Sequence, residues 1–265
     1  MLRSIYFGID NGSSGLRAAY VAVENGDALK PISVENNWNR MQRLDPGDFD
    51  IMVPIDGKLP HHYSNGDRDA SRCYTRLKYL IPVLTLPDNE IDVLAQCSPD
   101  GLKEDAPAAE SLLPLQCLPI LSQRKTMESG TWKKYLEDVA VAVFAYLKRY
   151  LDDVISHSEY RQLPIVRYHL TIPDQWDERQ IEVYRSIFAK AFAIDKEIIQ
   201  FCLESEAQHM YYHGVESLRA KFRLATPNAS GCCFVLSNDF GGMSSVSAMR
   251  ASVITTDGIK HVLTA

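Results

Sequence analysis

The stretch that most constrains the fold is YFGIDNGSSGLR, residues 6–17, which has the pattern of a buried strand, a tight loop of glycine and serine, and a second strand. Asp10 supplies one carboxylate at the end of the apolar segment. Gly12 allows positive φ, which lets backbone N–H groups crowd around an anion, and Ser13 and Ser14 add hydroxyl donors. A carboxylate beside such a loop is typical of a site where a hydrated divalent cation lies between the protein and a phosphate.

A similar pattern occurs near the other end of the chain. Residues 234–245, FVLSNDFGGMSS, again combine an apolar strand, an aspartate and a glycine-rich loop, and Gly241 follows Asp239 by two positions as Gly12 follows Asp10. One such loop alone is more typical of a β-hairpin turn supported by Asp or Asn. Two copies indicate a duplicated unit and predict a pair of phosphate loops.

Composition excludes several classes of protein. The chain has 265 residues, 46% of them hydrophobic, and a net charge of −6 without any run of Lys or Arg, which argues against a nucleic-acid-binding face. The longest apolar run, residues 139–147, is too short to span a bilayer, so we expect no membrane partner. The N-terminus does not resemble a signal peptide, and the six cysteines show no C-x-x-C spacing, so we expect a reducing, cytoplasmic location.

Periodicity predicts the order of elements in the first part of the chain. Three strands are expected at 4–10, 16–23 and 29–35, followed by an irregular insertion at about 36–130, in which a short segment at 72–81 is stopped by Pro82. Helices and strands then alternate: a long amphipathic helix at 131–156, a strand at 165–172, a helix ending near Phe192, a strand at 197–203 and a helix at 204–222. This order is typical of an α/β fold of the ribonuclease H-like class, with a mixed sheet.

The last part of the chain predicts the beginning of a second unit. Residues 227–231, PNASG, indicate a boundary, and strands are expected at 232–238, 245–254 and 259–263. We therefore predict one complete lobe over residues 1–226 and an incomplete second lobe over 231–265, which contains only an opening β-meander.

Two units that each begin with a strand, an aspartate and a glycine loop resemble the superfamily of actin, sugar kinases and heat-shock-protein ATPases. Within it the chain is most similar to a divergent branch of the Hsp70 ATPase domain. Four stretches carry this resemblance: GIDNGSS at 8–14 with the first phosphate motif, LTIPDQW at 170–176 with the TVP-x-x strand end, LESEA at 203–207 with the NEP-x-A connector, and DFGGMS at 239–244 with the second phosphate motif.

The resemblance implies ATP and Mg²⁺ as cofactors, with charge neutralisation and positioning as the chemistry. Asp10 and Asp239 would hold a hydrated Mg²⁺ from opposite lobes and would face each other in a cleft. Lys78 would contact the γ-phosphate, although a surface lysine is the plain alternative. Glu204 would orient the attacking water, with a helix N-terminal carboxylate as its alternative and Glu206 as a nearby candidate. The phosphates would contact the loop residues Gly12, Ser13, Ser14, Gly241, Gly242 and Ser244.

The chain also departs from the Hsp70 pattern. Met243 replaces the third glycine of the second phosphate motif, and Val246 occupies the place of a further aspartate. The adenosine-binding lobe and the peptide-binding domain would follow Ala265, so we expect a truncated domain that hydrolyses ATP weakly or not at all. Two hypotheses follow: an Hsp70-like ATPase, whose expected partners are a nucleotide and client proteins or co-chaperones, or a pseudo-ATPase that serves as an interaction module. Sugar kinases rank third.

Overall fold

The strand that carries Asp10 lies in the middle of a mixed sheet. The computed structural model describes residues 3–12, 15–24, 27–28, 32–34, 77–96, 124, 127–214, 231–240, 245–255 and 258–264. Within these residues, β1 (Arg3–Gly12) pairs antiparallel with β2 (Gly15–Glu24) and parallel with β5 (Ile165–Ile172). The short strands β3 (Asp27–Ala28) and β4 (Ile32–Ser33) both pair with β2, and β6 (Ile199–Leu203) follows β5, which gives the order β3-β2-β1-β5-β6.

This order confirms the predicted ribonuclease H-like α/β fold with a mixed sheet. An antiparallel meander is followed by a parallel strand that returns to the other side of β1, as the alternation of helices and strands predicts. Within the third predicted strand, 29–35, the structure describes residues 32–34, of which Ile32–Ser33 form β4, and β3 lies just before that range.

Helices cover one face of the sheet, and the core lies between them and the strands. The helices before β6 are α1 (Leu77–Thr85), α2 (Asp88–Gln96), α3 (Ser129–Ser156) and α4 (Glu178–Phe192). Helices α1, α3 and α4 pack against one another, and α1 also packs against β1. Tyr168 of β5 stacks on Phe7 of β1 at 5.7 Å between ring centroids and meets Phe192 of α4 edge-on at 5.2 Å. Aromatic contacts therefore fix the helix layer to the two strands that precede the candidate site.

Pro82 does not end the segment at 72–81 as predicted, because α1 continues through it to Thr85. A proline inside a helix costs about 3 kcal/mol relative to alanine. Leu80, Ile81 and Val83 are fully buried, and burial of one such side chain contributes roughly 1.5–3 kcal/mol. Packing on both sides of the proline thus outweighs its helix-breaking tendency. Helices α1 and α2 both lie in the range for which the sequence indicated an irregular insertion.

Helix α4 has strong end signals. Asp177 and Gln180 form a reciprocal capping box, in which the Gln180 N–H donates to the Asp177 carboxylate at 2.8 Å and the Asp177 N–H donates to the Gln180 side chain at 3.0 Å. The helix ends at Ala193, whose φ of 53° is left-handed. A 3-10 turn over Lys196–Ile198 then precedes β6, so this strand begins at Ile199 and not at residue 197 as predicted.

The chain divides into two compact units, Met1–Leu170 with Trp176–Gln200, and Thr171–Gln175 with Phe201–Ala265. The second unit contains helix α5 (Glu204–Gly214) and a meander of β7 (Gly231–Phe240), β8 (Ser245–Thr255) and β9 (Gly258–Thr264), with α5 against β7 and β8. This confirms the three predicted strands. The predicted boundary at 227–231 and the end of the helix predicted for 204–222 involve residues outside the described ranges. No helix within the described residues is both long and apolar enough to cross a membrane.

Candidate functional site

Asp10 lies near the end of β1 and is paired with a cation across the hairpin. It is directly opposite Arg17 of β2, and Nη1 of Arg17 lies 3.3 Å from Oδ2 of Asp10. The two side chains are 37% and 49% exposed, respectively, so this ion pair is in contact with solvent. A carboxylate placed in this way can reach a hydrated cation, and Arg17 supplies a positive charge that competes with such a cation.

Asn11, the next residue, has the opposite environment. It continues the row of Ile5, Phe7 and Ile9 on the helix-covered face and is only 3% exposed. Its Nδ2 finds no hydrogen-bond partner among the residues that the structure describes. The sheet thus places two neighbouring polar side chains on opposite faces, with the carboxylate towards solvent and the amide towards the core.

The face of the sheet opposite the helices carries a histidine. His169 of β5 is paired in register with Gly8 of β1, and its ring lies 6.3 Å from that of Tyr6 between centroids. Burial lowers the pKa of His169, and the nearby Arg167 lowers it further. Both effects favour the neutral imidazole on the face of the sheet that Asp10 shares.

Lys78 lies in the first turn of α1 and is partly exposed. Because α1 packs against β1, the helix that carries Lys78 is adjacent to the strand that carries Asp10. This arrangement is compatible with both interpretations of Lys78, as a phosphate ligand and as a surface lysine. Ser13 and Ser14, which lie between β1 and β2, are outside the described residues, while Gly12 ends β1 opposite Gly15.

The second hairpin repeats the first in its strands but differs in its connection. Asp239 lies next to the end of β7, as Asp10 lies near the end of β1, but its register partner is Val246 where Asp10 has Arg17. Four residues separate β7 from β8, whereas two separate β1 from β2. Gly241, Gly242 and Ser244 fall in this connection, outside the described residues. The repeated sequence pattern of a strand, an aspartate and a glycine loop therefore corresponds to two hairpins with connections of different length.

Glu204 begins α5 immediately after β6. The two residues that follow it, Ser205 and Glu206, each contact a defined partner. Ser205 donates from Oγ to Oδ1 of Asp174 at 2.5 Å and from its backbone N to Oδ2 at 3.3 Å. The carboxylate of Glu206 lies 3.5 Å from the thiol of Cys202 on β6. Glu206, the alternative to Glu204, is thus in contact with the preceding strand, while Glu204 precedes a residue that is held by Asp174.

Sequence reasoning missed three of these relationships. A two-residue connection between β1 and β2 puts Arg17 opposite Asp10, so hairpin register was the signal for that pair. Asn11 continues the alternating row of inward residues, which predicts its burial. No sequence signal indicated that Asp174 and Ser205, 31 positions apart, would form a hydrogen bond.

The donor set suits a cation bound mainly through water and phosphate oxygens. Within the described residues, no group of three or more His, Cys, Asp and Glu side chains could hold a metal ion. Mg²⁺ in phosphate sites usually keeps several waters and takes only one or two carboxylates. Asp10, a single carboxylate that is partly exposed, fits that pattern.

No family model and no curated protein matches the sequence. Two solved structures from Aquifex aeolicus are similar in fold. One, a structural study of the PPX-GPPA enzyme, is 11% identical with a TM-score of 0.35, and covers 98% of this chain and 52% of that one. The other, a Ppx/GppA family member, is 10% identical with a TM-score of 0.34, and covers 99% of this chain and 51% of that one. The chain spans about half the length of these structures, and similarity at this level does not identify a shared function.

Proposed function

We propose that this protein is an actin-like ATPase-fold domain that binds the phosphate groups of a nucleotide, ATP with Mg²⁺, at the β1–β2 hairpin. The observation that carries the proposal is the position of Asp10 at the end of the central strand, partly exposed and beside a Gly-Ser-Ser-Gly connection. Mg²⁺ bound there would neutralise phosphate charge. Gly12, Ser13 and Ser14 would donate to the phosphate oxygens.

The Hsp70 resemblance supplies the finer assignment. Lys78 would contact the terminal phosphate, Glu204 would orient the attacking water, and Asp239 with Gly241, Gly242 and Ser244 would complete the phosphate contacts. Whether these residues and Asp10 serve one site stays a prediction, as do a cytoplasmic location and binding to client proteins or co-chaperones. We expect slow hydrolysis, because Met243 replaces a glycine at a position where, by the Hsp70 resemblance, phosphate would pass close to the backbone.

Binding is tested by calorimetry with Mg-ATP and with Mg-tripolyphosphate on the wild-type protein, Asp10→Asn, and the double variant Ser13→Ala with Ser14→Ala. We expect each variant to weaken binding of both ligands at least tenfold with little change in melting temperature. If the serines only support the turn, the double variant lowers stability by roughly 1 kcal/mol instead and leaves affinity unchanged.

The hairpin offers a matched control at its other end. Glu24 and Arg3 form a cross-strand ion pair at 2.6 Å on the same two strands, far from the Gly-Ser connection. Glu24→Gln removes one carboxylate from the same hairpin and is expected to leave affinity unchanged. Equal loss of affinity in Glu24→Gln and Asp10→Asn would mean that net charge, and not a site at Asp10, controls binding.

A non-catalytic pseudo-ATPase is the second candidate. The presence of Met243 and Val246 in the second phosphate segment favours it. Single-turnover hydrolysis of Mg-ATP, with Asp10→Asn as the blank, separates the two candidates. Binding without turnover supports the pseudo-ATPase, and turnover that disappears in Asp10→Asn supports the ATPase.

A further inference from the structure

Asp174 connects the end of β5 to the start of α5. It follows Ile172, the last residue of β5, by two positions, and Ser205 is the second residue of α5. Both carboxylate oxygens of Asp174 are used: Oδ1 accepts from Ser205 Oγ at 2.5 Å and Oδ2 accepts from the Ser205 backbone N at 3.3 Å. Ser205 is 7% exposed, so water competes little for these hydrogen bonds.

The geometry matches what a helix N-terminus needs. The first backbone N–H groups of a helix have no partner within the helix, and the helix dipole favours a negative charge there. Hydrogen bonds to an ionised acceptor are stronger than those between neutral groups. Asp174 therefore holds the first turn of α5 from a different segment of the same compact unit.

Glu204 is the residue whose position depends most directly on the hydrogen bonds between Asp174 and Ser205. It is bonded to Ser205 and begins α5, so fixing the Ser205 amide and hydroxyl also fixes the backbone from which the Glu204 side chain leaves. Glu206, on the other side of Ser205, has its carboxylate against Cys202. The two glutamates therefore have different environments. The Glu206 carboxylate contacts Cys202, whereas the hydrogen bonds of Asp174 fix the backbone next to Glu204.

We infer that Asp174 is a positioning residue, which acts through Ser205 to hold Glu204 for water activation. This inference rests on the proposed hydrolysis for its role in the reaction. The restraint of the first turn of α5 by Asp174 can be measured without any turnover of ATP. Neither residue of the pair was a candidate from the sequence alone.

The first experiment measures backbone amide exchange in the full chain, with Asp174→Ala and Ser205→Ala as variants and Asp174→Asn as a milder third. We expect exchange of the Ser205 amide to be at least tenfold faster in Asp174→Ala, with amides of α4 unchanged. Asp177→Ala is the matched control, because Asp177 caps α4 in a comparable way with a bond of 2.8 Å from the Gln180 N–H. Unchanged exchange at Ser205 in both Asp174 variants overturns the inference, whether or not the protein hydrolyses ATP.

The second experiment is a double-mutant cycle on single-turnover hydrolysis of Mg-ATP. We expect Asp174→Ala to lower the rate at least tenfold while Mg-ATP affinity stays within twofold, and to have no further effect in the Glu204→Gln background. An equal loss in both backgrounds overturns the positioning role, because it shows that Asp174 acts independently of Glu204. A wild-type protein that binds Mg-ATP without turnover refutes the hydrolysis and any role of Asp174 in it, while amide exchange still decides whether Asp174 holds the turn.

Discussion

Arg17 lies directly across the hairpin from Asp10, with Nη1 at 3.3 Å from the nearer carboxylate oxygen. The charge that balances Asp10 in this structure is thus part of the protein, whereas the register partner of Asp239 is Val246, which has no charge. A hydrated cation at Asp10 would share the carboxylate with a guanidinium. The hairpin therefore contains its own competitor for the metal that the sequence predicts.

Replacing Arg17 by glutamine is expected to strengthen Mg²⁺ binding. An exposed ion pair contributes about 0–1 kcal/mol, so removing the competing charge should raise Mg²⁺ affinity about twofold to fivefold and change stability by less than about 0.5 kcal/mol. Calorimetric titration of Mg²⁺ in the presence of ATP measures the effect, with Arg3→Gln as the control at the other end of the hairpin. Weaker Mg²⁺ binding in Arg17→Gln would mean that Arg17 supports the site.

Replacing the buried Asn11 by leucine is expected to stabilise the protein. Asn11 is 3% exposed in the row of Ile5, Phe7 and Ile9, and its Nδ2 has no hydrogen-bond partner within the described part of the chain. Exchanging a buried polar group without a partner for an apolar group of similar size should raise the free energy of unfolding by roughly 1 kcal/mol. Urea denaturation measures this change. Asn11→Asp is the opposite control, and a loss of stability in Asn11→Leu would show that the amide is hydrogen-bonded in solution.

Stability should fall at alkaline pH because of Tyr168. Burial, with a smaller contribution from the carboxylate of Asp152, raises the pKa of Tyr168 from an ordinary value of 10.0 to about 12. Because the folded pKa lies above the unfolded one, the neutral phenol's contribution is complete below about pH 10 and is lost between about pH 10 and 12, by up to about 2 kcal/mol. Denaturation at several pH values on the wild type and on Tyr168→Phe tests this. The variant should lose less stability over that interval, and parallel curves would contradict the assignment.

Glycine at position 193 should stabilise the end of α4. Ala193 has a φ of 53°, in the left-handed region, where a side chain costs roughly 1–2 kcal/mol and glycine costs little. Its backbone N–H donates to the Ala189 carbonyl, and that bond survives in Ala193→Gly. We expect a gain of about 1 kcal/mol by thermal denaturation. Ala191→Gly, inside the helix, is the control and should lose about 1 kcal/mol.

Much of the fold follows from local patterns in the sequence. An apolar segment that ends at Asp10 predicts β1, and the glycine-serine loop after it predicts the turn to β2. Three- to four-residue spacing predicts α3 and α4, because that spacing follows from the geometry of a helix. The position of Asp10 at a strand end and the second hairpin with Asp239 could also be predicted from local patterns, because each is an apolar strand followed by an aspartate and a glycine loop. The order of these elements then predicts the strand order of the sheet.

The tertiary structure decided features that depend on residues far apart in the chain. Helix α1 continues through Pro82 because buried side chains outweigh the intrinsic penalty of proline, and local propensity carries no information about that burial. Asp174 meets Ser205 because β5 ends and α5 begins in the same compact unit, which no spacing along 31 residues encodes. Sequence by itself determined the strands and helices outside the predicted insertion, and their order, since these depend on neighbours along the chain. Which polar groups contact one another was decided by packing, since it depends on how distant segments lie together in space.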